Sequence, residues 1–167
     1  MNEKYYTWII VIILCVTAIW ALRALYALLF RSRLDELKPA LKLLLKSGYK
    51  YGWVGFEHEK TGKFVQFRKY IEHNKIIGIQ LAIPNTSNNK ECVNFFTNKA
   101  MDKNLSVDTE EIEGRSQFIF LDFATDIDLA YNMVEEYFTN ICKIHRKARY
   151  KHTFDGIDND FRLVNRV

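Results

Sequence analysis

Three runs of strand character follow one another between residues 49 and 83: YKYGWVGFE (49–57), KFVQFRKYI (63–71) and KIIGIQLAI (75–83). Their connections carry the short polar pieces EKTG and EHN. Connections of that length are hairpin turns, since a parallel crossover needs a dozen residues or more. Pro84 closes the third run, because it has no N–H to give to a strand ladder. The chain is therefore committed early to a continuous antiparallel meander.

Side-chain alternation assigns faces. In the second run Val65, Phe67 and Ile71 point one way, and Phe64, Gln66, Arg68 and Tyr70 the other. In the third, Ile77, Ile79, Leu81 and Ile83 line the core. A second pair of strands is predicted at 105–112 and 117–123, around Glu113-Gly114-Arg115. The later of these is apolar on both faces, with Phe118 and Phe120 on one and Ile119, Leu121 and Phe123 on the other. A strand of that kind needs cover on its second side from a helix, a second copy or a client.

Helices frame the strands. Leu34, Leu37, Leu41, Leu44 and Leu45 share one helical face before Gly48, with Pro39 expected to kink that segment or start a fresh helix. Cys92, Phe95, Phe96 and Met101 predict a short amphipathic helix over 90–103. Thr125 or Asp126 caps a last helix whose apolar positions are Ile127, Ala130, Val134, Tyr137, Ile141 and Ile144. The expected fold is α+β, a five-stranded antiparallel sheet with helices in the order α-β-β-β-α-β-β-α. Residues 32–148 form this domain, and 149–167 are read as a polar, loosely ordered tail. With 49% apolar residues, seven glycines and two prolines, the chain is neither low-complexity nor disordered.

Residues 1–31 carry a different signal. From Trp8 to Phe30 the only charge is Arg23. As a helix this run would extend roughly 34 Å, against a hydrocarbon layer of about 30 Å. The expectation is a transmembrane anchor, with Trp8, Trp20, Arg23, Arg31 and Arg33 at the lipid interface. Basic residues concentrate after the run, which places the N-terminus outside a single-pass cell-membrane protein and the domain in the cytoplasm.

The element order resembles the class I type III secretion chaperones over about residues 34–146, with local similarity in KFVQFRK (63–69) and FIFLDF (118–123). That resemblance implies a module, often a homodimer, that holds a segment of a protein client in extended form. Phe64, Gln66, Arg68, Tyr70, Ile119 and Leu121 are the expected partner-binding residues. The alternatives are a small accessory subunit of a larger membrane complex and, behind it, a metal-binding membrane-associated enzyme.

Catalytic motifs are missing: no nucleophile elbow, phosphate loop, dinucleotide fingerprint or HExxH is present. No enzyme activity and no cofactor are expected. Cys142 and His145, three apart on the last helix, could seed a metal site only if further ligands converged on them. Three cysteines without CxxC spacing make no disulfide framework. The net charge of +4 gathers in two clusters, from Arg31 to Lys46 and from Lys143 to Lys151. Neither comes with a nucleic-acid-binding motif or an aromatic platform, so nucleic acid is not an expected partner.

Overall fold

The computed structural model describes residues 12–13, 16–20, 31–72, 75–112 and 116–157. The chain divides into two compact units, 1–31 and 32–167. A two-residue strand, Arg31–Ser32, falls at their boundary, and in the second unit the turn Leu34–Glu36 leads into α1 (Leu37–Ser47). Then come β1 (Gly48–His58), β2 (Phe64–Glu72) and β3 (Lys75–Pro84), followed by α2 (Lys90–Asp102). The last elements are β4 (Val107–Ile112), β5 (Ser116–Asp122), α3 (Ile127–Glu136) and β6 (Tyr150–Ile157). The six longer strands form one antiparallel sheet in the order β6-β1-β2-β3-β5-β4.

The α+β class therefore holds, but the sheet has six strands and not five. The additional strand comes from the expected tail. In YKHTFDGI, Tyr150, His152 and Phe154 alternate with Lys151, Thr153 and Asp155, which is the two-residue period of a half-buried strand. Tyr150 is fully buried and pairs with His58, while Phe154 pairs with Val54. Residues 158–167 of that tail lie outside the described residues.

The membrane placement is also corrected. Most of Trp8–Phe30, including Trp8 and Arg23, lies outside the described residues. Among the described residues no helix is long and apolar enough to cross a membrane. The single-pass topology, the cytoplasmic assignment and the lipid contacts of Trp8, Trp20, Arg23, Arg31 and Arg33 are withdrawn with it. Trp20 is exposed, and so is Arg33, which belongs to the second unit.

All three helices pack on one face of the sheet. Leu37, Ala40, Leu41 and Leu44 of α1 are fully buried, as are Phe96 and Ala100 of α2 and Ala130 and Val134 of α3. They meet Val54, Phe56, Val65, Phe67, Ile79, Leu81, Ile83, Ile119, Leu121 and Phe123 from the strands. Pro39 does not kink α1. It sits in the first turn, where a missing N–H costs nothing. The helix ends where Gly48 turns extended, and only glycine fits there, since a Cβ would lie 2.5 Å from the Leu44 carbonyl oxygen. Asp126 caps α3 by accepting the Leu129 N–H at 2.8 Å. The regular helix stops at Glu136 and continues as a π-turn over Tyr137–Ile141.

Candidate functional site

The other face of the sheet carries no helix among the described residues. The strand register sets its composition: Trp53 pairs with Arg68, Gly55 with Gln66, Gln66 with Ala82 and Ala82 with Phe120. Phe64, Gln66, Arg68 and Tyr70 therefore stand together on one surface, as their alternation predicts. Phe64 is 40% exposed, and Gln66 and Tyr70 are half-buried. Ile119 and Leu121 are elsewhere. They lie on the helix-covered face, Leu121 fully buried and Ile119 nearly so, out of reach of anything docking on this surface. The outward residues of β5 are Phe118 and Phe120.

Phe120 is only 2% exposed although it faces away from the helices. Its cover is Arg68. The side chain leaves β2 and lies across β3, its guanidinium carbon 3.4 Å from the Phe120 ring centroid. Its Nε donates to Gln80 Oε1 at 2.9 Å. Its two terminal nitrogens donate to Glu110 on the edge strand β4, at 3.0 and 2.8 Å. This is a forked arginine–carboxylate pair, the strongest geometry such a pair adopts. The Arg68 hydrogen bond, acting against burial and helped by the Arg68 charge, holds the Glu110 carboxyl below the usual range. The strap leaves the Arg68 side chain 14% exposed, while Glu110 stays 48% exposed. The second face of the doubly apolar strand is thus closed from within the chain.

Exposed rings border the strap. Tyr51 is 54% exposed, with Arg68 5.9 Å and Lys50 5.1 Å from its ring. It sits at φ 65°, a backbone region that a bulky side chain rarely enters, where the register of β1 and β6 shifts. Sequence reasoning missed Tyr51, Trp53, Gln80, Glu110 and Phe120 as members of this surface. The signal for Phe120 was present in the parity of β5. Nothing local in the sequence ties Glu110 to an arginine 42 positions away.

Cys142 and His145 do not converge. His145 is exposed, and its Nδ1 accepts the Lys147 backbone N–H at 3.1 Å. Cys142 instead meets Tyr137: the π-turn bonds the Cys142 N–H to the Tyr137 carbonyl at 3.0 Å and brings both side chains to one side. Cys92 of α2 hydrogen-bonds the same phenol. Burial pushes the Cys92 thiol up to about 11, and raises Cys142 as well, so both are protonated and poor nucleophiles. Among the described residues no group of three or more His, Cys, Asp or Glu is placed to hold a metal ion. No known protein family, no curated protein and no solved structure matches the chain.

Proposed function

We propose that the domain over residues 32–157 is a protein-binding module and that its contact surface is the helix-free sheet face around Arg68. The observation that supports this reading is the state of that face. Its central ring is sealed by the Arg68–Glu110 strap, while Tyr51 and Phe64 stand exposed at the margin. A flat sheet face with a rigid polar centre and exposed aromatic margins offers anchors for a partner without a cavity for chemistry. The chaperone resemblance is consistent with the same use of the sheet.

Site-specific photo-crosslinking in the native host tests it. A photoreactive residue replaces Phe64 or Tyr51, with Met101 as the control; Met101 is 69% exposed on α2. One discrete protein adduct at both sheet positions and none at Met101 is the expected result. Equal labelling at all three positions, or none at the sheet positions, overturns the reading.

A further inference from the structure

Members of the two basic clusters of the sequence meet in the folded domain. Arg33, from the turn before α1, and Arg146 and Lys147, from the loop after α3, line one hollow of about 220 Å3 with Asp35, Tyr131 and Glu135. The loop reaches this place through two unusual backbone features. The π-turn ends α3, and Lys143 then adopts φ 55°. The Ile144 N–H binds the Phe138 carbonyl at 2.8 Å and Ile144 is buried, which pins the returning chain against α3. A tight turn follows, with the Ala148 N–H on the His145 carbonyl at 2.8 Å, and it presents Arg146 and Lys147.

The charges in the hollow are unequally committed. Glu135 accepts the Tyr131 hydroxyl at 2.9 Å and Arg146 Nε at 2.6 Å, so its charge is neutralised and Arg146 is held in one orientation. Desolvation and then the Glu135 hydrogen bond push the Tyr131 phenol up to about 12, so it remains a donor. Arg33 and Lys147 have no ion pair among the described residues. Three cations against two carboxylates leave an excess of one positive charge, with two cations free to bind and Asp35 present as an acceptor.

We propose that this hollow binds a phosphate-type oxyanion that retains an O–H: inorganic phosphate, or a phosphomonoester in its singly protonated form. The free guanidinium of Arg33 and the ammonium of Lys147 take the anionic oxygens. Arg146 contributes the donors that Glu135 does not use, and Asp35 accepts the remaining O–H. The hollow exceeds the size of one phosphate group, which leaves room for the first atoms of an ester substituent.

Isothermal titration of the full chain at about pH 5.5, where phosphate and a phosphomonoester both keep an O–H, with inorganic phosphate, glycerol 3-phosphate and sulfate at matched ionic strength tests the assignment. Saturable binding with one site per chain is expected for phosphate. Sulfate, which has no O–H at that pH, should bind at least several-fold more weakly. A tighter glycerol 3-phosphate isotherm identifies the phosphomonoester as the source, and an equal or weaker one the free ion. Arg33→Gln and Lys147→Gln change exposed side chains that have no ion pair among the described residues, so circular dichroism should show an unchanged fold. Each should weaken binding about tenfold or more. Lys103→Gln, remote and exposed, should change nothing. No saturable binding, or binding that both variants leave intact (an adventitious ion only), overturns the site. Sulfate equal to phosphate overturns the role given to Asp35.

Discussion

The two faces of the sheet are closed by different forces. On one, three helices bury aliphatic and aromatic side chains in a continuous apolar cluster that runs from Leu34 to Ile157. On the other, a single arginine laid across two strands covers Phe120 and is fastened to Glu110 at the sheet edge. The first closure is non-directional and scales with area. The second depends on a few hydrogen bonds and on charge, so it responds to pH and salt.

The largest expected effect comes from joining the two sides too tightly. At Gly78 the backbone of Ala124 presses against β3, and the Ile79 N–H binds the Ala124 carbonyl at 2.9 Å. A Cβ at Gly78 would run into that carbonyl. Gly78→Ala should therefore cost about 4 kcal/mol or more, read as a fall in the urea midpoint. A near-neutral result would show that the Ala124 turn is free to move. Next comes Phe67→Ala on the covered face. Phe67 is fully buried and its ring lies 6.0 Å from Phe123. About 3–5 kcal/mol should be lost, with the spread set by how far the helices can collapse into the space.

The covered face was largely legible in the sequence, because aliphatic periodicity records which side is buried. Leu37, Leu41 and Leu44 announced α1, and Val65 and Phe67 announced the inward side of β2. Lys69 did not fit that pattern. It is 3% exposed on the covered side, and its ammonium donates to the Leu45 carbonyl at 2.6 Å near the C-terminal end of α1. An irregularity between Tyr70 and Ile71 then shifts the register. Alternation alone cannot signal a bulge or a lysine that serves a helix end. The open face was legible only in part. Phe64, Gln66, Arg68 and Tyr70 follow from parity, but the partnership of Arg68 with Phe120 and Glu110 depends on strand order. The sequence also left the parity of β5 undecided, because both sides of FIFLDF are apolar. Only pairing with β3 and β4 turns Ile119 and Leu121 inward.

Arg68→Met should cost about 1–2 kcal/mol. The methionine keeps some cover over Phe120 and loses the hydrogen bonds to Gln80 and Glu110. The loss should shrink in high salt, since Glu110 is half exposed, whereas the Phe67→Ala loss should not. A salt-independent Arg68→Met loss would mean that the strap works by packing alone, and the contrast between the faces would narrow.

The smallest effect separates the faces by pH. On the covered face, burial first and Lys60 second hold the His58 pKa below 6.5, and burial does the same for His152. Both are neutral in the folded protein at pH 7. As pH falls below 6.5 the unfolded chain binds protons first, so stability drops until the folded values are passed. On the open face the shift has the opposite consequence for charge. Glu110 titrates below 4.5 when folded, so its contribution is fully present above 4.5 and is lost as pH falls through the lower folded value. Urea midpoints between pH 7 and pH 3 should therefore fall in two stages. His58→Asn should flatten the upper stage alone. Glu110→Gln should flatten part of the lower stage by well under about 1 kcal/mol, given its exposure. If Glu110→Gln altered the slope between pH 7 and 5.5, the arginine strap and the histidine side of the core would have to be coupled through the sheet, and the two faces could no longer be treated as independent closures.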